Sequence, residues 1–239
     1  MTTDITKVDN NLPATTQGIG RGFEGVDLTK VSMPRIKVMQ GLSPELEDED
    51  YNFKQGDIIH GLLMEKMPEN FVPIKFFATR IKFGPRAEGG AIECRSHDGR
   101  ISHDGLILCA QCPYSKWDES TNTPPECTLT INVLALFEGH EMPVAIPFAN
   151  TNYKYGKKFM DMALFSGGGD AWNRKYKITS KREKNEKGSY FTTPIKPAGM
   201  SSPEERALAA LMYRQFAGAA IEVQSADDRA EVPEDDVRF

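Results

Sequence analysis

Long apolar runs are missing from this chain. Those present are short, Val133 to Phe137 among them, and none approaches the roughly 20 residues that a helix needs to cross a bilayer. The first residues, Met1-Thr2-Thr3-Asp4, lack the basic and apolar regions of a secretory signal, so a cytoplasmic protein with no membrane partner is expected. Cysteine is sparse, with four in 239 residues. In a reducing compartment that number argues against a disulfide framework and toward a metal or free thiols. The usual catalytic motifs are absent too. Ser166-Gly167-Gly168-Gly169-Asp170 lacks the lysine and hydroxyl of a phosphate-cradling loop, and His140-Glu141 is not followed by the second histidine of a metalloprotease helix. No His-x-Glu element accompanies the cysteines, as a zinc deaminase would require. The chain is not expected to be an enzyme; a nuclease with scattered acidic ligands is the catalytic alternative.

What is present is enough for one sizeable domain with appendages. Hydrophobic residues make up 39% of the chain, on the low side, as expected if both ends stay unstructured. Residues 1–30 are polar and glycine-broken and read as a flexible arm. The ordered domain then spans 31–221. Val31–Met39 predicts a strand that Pro34 places at an edge or a bulge, and Glu45 to Asp50 an acidic solvated loop. Strands are predicted over Asp57–Met64, Phe71–Phe83, Thr128–Phe137 and Met142–Phe148. A helix should start at Thr151 or Asn152 and bury Tyr155, Phe159 and Met162 at i, i+4 and i+7. Ala171–Lys181 and Ser189–Lys196 read as a hairpin with a charged tip. Ser202-Pro203-Glu204-Glu205 opens a second helix with a capping box. Strands, then a helix, then a hairpin is the order of the oligonucleotide-binding (OB) barrel. The expected class is therefore mainly β (α+β): an OB-fold-like barrel with two helices and an insertion at 91–127.

That insertion holds Cys94, Cys109, Cys112 and Cys127, separated by 14, 2 and 14 residues. A Cys-x-x-Cys pair lets two thiolates reach one ion from a tight turn, and the outer two can close a tetrahedron. The surrounding sequence is turn-rich and weakly apolar, which is where a structural metal contributes folding energy. A structural zinc (Zn2+) on these four thiolates is expected, with unrelated free thiols as the alternative. His97 or His103 could replace an outer cysteine, though four thiolates make that unnecessary. A four-thiolate site would leave no open position for catalysis.

Residues 153–191 carry ten lysines and arginines against four acids, a net of +6, in a chain whose overall charge is −5. Eight aromatics are interleaved, from Tyr153 to Phe191. Cations that track phosphates and rings that stack bases are the two ingredients of single-strand binding. Candidate DNA contacts are Tyr153, Lys154, Lys157, Lys158, Trp172, Arg174, Lys175, Tyr176, Lys177, Lys181 and Arg182. Arg80, Lys82 and Arg86 could extend the groove. Trp172 and Tyr176 alternate with Lys175 and Lys177, so the two rings either contact bases or belong to the core.

From Glu222 onward there are seven acids and two arginines, a net of −5, and the chain ends Glu231-Val232-Pro233-Glu234-Asp235-Asp236-Val237-Arg238-Phe239. Residues 222–239 have too few apolar groups to order themselves and are expected to stay disordered and solvated. This ending resembles the tails of single-stranded-DNA-binding proteins, both the bacterial type, which ends Asp-Asp-Asp-Ile-Pro-Phe, and several bacteriophage types; Arg238 stands where the bacterial type has proline. The resemblance implies a protein that coats single-stranded DNA with little sequence preference during replication, recombination or repair. It also implies that the tail, through Asp235, Asp236 and Phe239, recruits replication and recombination proteins and competes with DNA for the basic groove. A phage-encoded protein of this kind would act in the host cytoplasm. Some phage helix-destabilising proteins also carry a zinc subdomain on such a barrel. The rival reading is a zinc-ribbon transcription or recombination accessory factor that binds duplex DNA or a polymerase.

Overall fold

The longest strand organises the chain. In the computed structural model, residues 32–85, 90–166, 169–186, 188–217 and 221–223 are described. Their strands are β1 (Ile36–Val38), β2 (Ile58–His60), β3 (Asn70–Phe83), β4 (Ile92–Ser96), β5 (Cys127–Phe137), β6 (Val144–Phe148), β7 (Arg174–Ile178), β8 (Lys181–Asn185), β9 (Gly188–Thr192) and β10 (Ile195–Met200). The helices are α1 (Tyr153–Phe165) and α2 (Pro203–Phe216). A six-stranded sheet runs in the order β10-β7-β3-β5-β6, with β4 also paired to β3. β1–β2 and β8–β9 form two further antiparallel pairs. The protein is mainly β with two helices, and among the described residues no sheet closes into the expected barrel.

β3 pairs with β5 along its length, from Phe71 opposite Phe137 to Lys82 opposite Cys127. The register slips between Pro73 and Lys75, leaving Ile74 as an extra residue. A bulge suits proline, which cannot donate to a ladder, and it inverts which face the later side chains take. Phe71 before the bulge and Phe76 after it both pack on α1's side. Val72, Ile74 and Phe77 pack on α2's side. β5 alternates between the same two cores. Ile131, Val133, Ala135 and Phe137 join the first, Leu134 and Leu136 the second. Burial on both faces is why Val133–Phe137 is a continuous apolar run.

The first core also takes in Ile36 of β1, Ile58 of β2, and Tyr176 and Ile178 of β7. Phe159 of α1 is at its centre, with ring centroids 5.7 Å from Phe71, 5.1 Å from Phe76 and 4.8 Å from Tyr176. α1 carries Tyr155, Phe159 and Met162 inward at the predicted spacing. Neither predicted cap closes it: Asn152 Oδ1 instead accepts from Thr193 N at 2.9 Å, tying the helix entrance to the hairpin. α2 has the predicted capping box, with Glu205 N donating to Ser202 Oγ at 3.1 Å and Ser202 N to Glu205 Oε2 at 2.7 Å. At its other end Lys75 Nζ donates to the Phe216 carbonyl at 2.8 Å.

Three expectations change. Glu45, read as part of a solvated acidic run, is buried in a short turn and paired with Lys37 at 2.6 Å. The charged tip of the hairpin is itself the β8–β9 arm, in register from Lys181 opposite Thr192 to Asn185 opposite Gly188. Ile221, Glu222 and Val223 belong to the folded part: Ile221 is buried, Glu222 pairs with Arg95, and Val223 bridges to Met33. The arm at 1–30 and the tail from 224 lie outside the described residues. No described helix is long and apolar enough to cross a membrane.

Gly156 marks the closest approach of α1 to the sheet, since a Cβ there would stand 2.5 Å from Phe148 Cβ. Phe148 is fully buried and cannot retreat. Alanine gains about 1 kcal/mol in helix propensity, but forcing atoms into a packed core costs about 1–3 kcal/mol. Gly156→Ala should therefore lose net stability in urea unfolding, and Gly156→Val should lose more. A stabilised Ala variant would show that α1 is free to lift from β6.

Candidate nucleic-acid interface and cysteine module

The predicted DNA contacts do not form one groove. They divide into three clusters, and in two of these the described lysines are paired with acids. At the far end of β3, Lys82 pairs with Glu93 and, at 3.5 Å, with Glu126, and its ammonium lies 4.3 Å from the Tyr114 ring centroid. The Glu93 carboxylate raises the lysine's pKa above its ordinary value, so it stays charged but engaged. Lys82 thus pins the cysteine module to the sheet. Arg80 lies beside Cys127, and Arg86 is outside the described residues.

On β7 the second cluster is also spoken for. Lys175 bonds the capping Glu205 at 2.7 Å and approaches Glu138 at 4.0 Å, while Lys177 pairs with Glu69 at 2.6 Å. Glu205 therefore caps α2 and ties it to β7 through Lys175. Arg174 is half-buried at the start of the strand. The rings between these cations are structural. Tyr176 is 1% exposed, and a ring so enclosed cannot stack on a base. Trp172 packs on the second core with its centroid 5.0 Å from Tyr213, and Tyr153 packs on the first. Alternation along β7 left their role open; the presence of a core on each side decides it.

The third cluster is exposed. Lys154, Lys157 and Lys158 are on the first turns of α1, and Lys181, Arg182 and Lys184 are on β8. These two elements meet at Glu183. Its carboxylate accepts from Lys154 Nζ at 3.0 Å, Tyr155 Oη at 2.6 Å, Lys181 Nζ at 3.3 Å and Tyr190 Oη at 3.3 Å. Tyr155 and the two ammonium groups hold its pKa down at about 2. Tyr155 packs on the first core, as its spacing predicts, and also turns its hydroxyl to this acid, whereas Tyr190 and Glu183 are not among the predicted contacts. The available signal was a single acid set among Lys181, Arg182 and Lys184. Of the eight interleaved aromatics, Phe165 alone is broadly exposed.

The four cysteines are brought to one neighbourhood. Cys94 on β4 and Cys127 on β5 both stand opposite Lys82, on either side of β3 and so on one face. Cys109 and Cys112 lie on a turn in which Cys112 N donates to the Cys109 carbonyl at 3.3 Å, and Ser115 Oγ donates to both cysteine carbonyls. Burial raises the pKa of Cys94 and Cys127, and the charge of Cys109 raises both further. Arg80 opposes the shift at Cys127. The donor set suits zinc, but among the described residues no three His, Cys, Asp or Glu side chains already meet metal-binding geometry.

Residues 6–222 match the family of Pam3 phage gp34-like proteins. The chain belongs to that family. Searches of curated proteins and of solved structures return no match. The gp34-like match takes in both cores, the cysteine module and the arm, but ends before Asp235, Asp236 and Phe239, which also lie outside the described residues.

The Glu183 junction has a definite pH signature. Its folded pKa of about 2 is below the ordinary 4.5, so its contribution to docking the arm is full above 4.5 and lost as pH falls through about 2. Hydrogen exchange at β8 and β9, corrected for intrinsic rates, should keep its protection from pH 7 to 4.5 and lose only the part due to Glu183 toward pH 2, because Gln40 and Asn152 still hold the base of the arm. Loss already at pH 6 would assign the docking to another group.

Proposed function

We propose that this protein binds single-stranded DNA through the face formed by α1 and the β8–β9 arm. One observation carries the reading: exposed cations on α1 (Lys154, Lys157, Lys158) and on β8 (Lys181, Arg182, Lys184) belong to two elements joined at Glu183, where Lys154 and Lys181 meet. The surface is exposed and basic, and suits a phosphate backbone better than an apolar small ligand. Phe165, 80% exposed at the end of α1, is the ring best placed to stack a base. A first core fed by β1, β2, β3, β5, β6, β7 and β10, with α1 packed against it, supports an OB-like arrangement. Membership of a family named for a phage protein supports a bacteriophage setting; in this reading the protein acts in replication or recombination in the host cytoplasm. In this reading the acidic tail, ending in Asp235, Asp236 and Phe239, recruits partner proteins.

We also propose that Cys94, Cys109, Cys112 and Cys127 hold a structural zinc. The chemistry of the donor set and the placement of all four thiols around the end of β3 support it. The metal would draw the Cys109–Cys112 turn onto the sheet and hold the module's loops in place.

Titration with an oligothymidylate and with a duplex of equal length, at several salt concentrations, tests the binding reading. Tighter binding to the single strand, weakening steeply with salt, is expected. Lys157→Ala with Lys158→Ala should flatten the log–log salt slope by about 1.4, at roughly 0.7 per phosphate contact. Lys175→Ala with Lys177→Ala should change it far less, because both lysines are already paired. Equal binding to the duplex would favour the accessory-factor reading.

For the metal, one zinc per chain should survive a brief chelator wash. Cys112→Ser should lower both zinc content and the unfolding temperature. A metal-free wild-type protein of unchanged stability would refute the site.

A further inference from the structure

Glu183 occupies a place built for an oxyanion. Two ammonium groups and two phenol hydroxyls, from α1, β8 and β9, converge on one carboxylate. Charge-assisted donors in that number match the oxygens of a phosphate as well as those of a side chain. The carboxylate is 14% exposed, whereas Lys154 and Lys181 are each 60% exposed, so an outside anion can reach both lysines. Lys157 and Lys158 follow Lys154 by three and four residues on the same helical face, which continues the cationic track beyond the junction.

Holding the arm in place does not require this cluster. The Gln40 side chain already brackets the Phe191 backbone, accepting from its N–H at 2.8 Å and donating to its carbonyl at 3.0 Å. The Phe191 ring packs on Gly56, where a Cβ would stand 2.8 Å away, and Asn152 holds Thr193. With the base of the arm fixed by these contacts, four donors on one acid exceed what docking needs.

We propose that Lys154, Tyr155, Lys181 and Tyr190 form a phosphate-binding subsite that the chain fills with its own Glu183, and that an incoming phosphodiester displaces this carboxylate. The inference rests on the single-strand reading and deepens it, naming where one phosphate sits and how the chain restrains its own affinity. In the free protein the acid neutralises part of the basic face. When a strand binds, the carboxylate swings out to solvent and the two hydroxyls and two ammonium groups pass to the phosphate.

The test uses two probes on the full-length chain at low salt: inorganic tripolyphosphate, which lacks sugar and base, and an oligothymidylate. Glu183→Gln should bind tripolyphosphate about three- to tenfold more tightly than wild type, as expected for removing one competing charge-assisted acceptor. In the Glu183→Gln background, Tyr155→Phe should lower that affinity, because its hydroxyl then contacts the anion. Equal affinity of Glu183→Gln and wild type overturns the subsite. A gain that Tyr155→Phe leaves untouched also overturns it, reducing Glu183 to a contributor to the general field. If Glu183→Gln fails to fold, Glu183→Asp, one methylene shorter, should give a smaller gain in the same direction, and no gain overturns the proposal. The two readings separate cleanly. Oligothymidylate bound equally by wild type and variant defeats the subsite and leaves single-strand binding intact. A gain for tripolyphosphate with no oligothymidylate binding by either protein retains the subsite and defeats the single-strand reading.

Discussion

The β3–β5 ladder is the constraint on which the rest of the structure depends. At one end, Phe71 to Phe77 pair with residues that alternate between two cores, so each strand is buried on both faces. The bulge at Ile74 makes this possible by shifting β3's alternation by one residue partway along. Without it, Phe76 would turn away from Phe159 and α1 would lose an aromatic neighbour. The other end of the ladder, from Arg80 to Phe83, runs beyond both helices and takes up β4 on its second edge. Two of the cysteines are carried there by pairing with the same lysine. One long ladder thus sets the core, the seat of each helix and the position of the cysteine module.

Charge is distributed according to the same frame. Cations near the ladder and the second core have carboxylates beside them: Lys82 has Glu93 and Glu126, Lys175 has Glu205 and Glu138, Lys177 has Glu69. These pairs join segments far apart in sequence, and their ammonium groups are only partly available to a ligand. Exposed pairs of this kind contribute about 0–1 kcal/mol each, so they place the elements more than they stabilise them. Cations on α1 and the arm stand clear of the sheet. There, among the described residues, Glu183 pairs with Lys154 and Lys181, and its withdrawal would change the field around both.

Much was legible in the sequence wherever a local pattern decides the outcome. The 3.6-residue stripe of α1, the capping box of α2 and the long strands β3 and β5 all depend on neighbours within a few residues, and the chain adopts them as read. The concentration of positive charge in residues 153–191 is likewise a property of composition alone. Tertiary structure decided what composition cannot express. Alternation predicts that Trp172 and Tyr176 share a face, but Trp172 precedes β7 and packs on the second core while Tyr176 packs on the first, a division made by β3, α1 and α2, which are distant in sequence. The sign of a lysine in the sequence does not reveal whether a glutamate from another strand stands beside it, and so a single predicted groove became two paired clusters and one exposed face. The junction at Glu183 needs a helix turn and two strands to meet at one carboxylate, and that convergence exists only once the chain has folded.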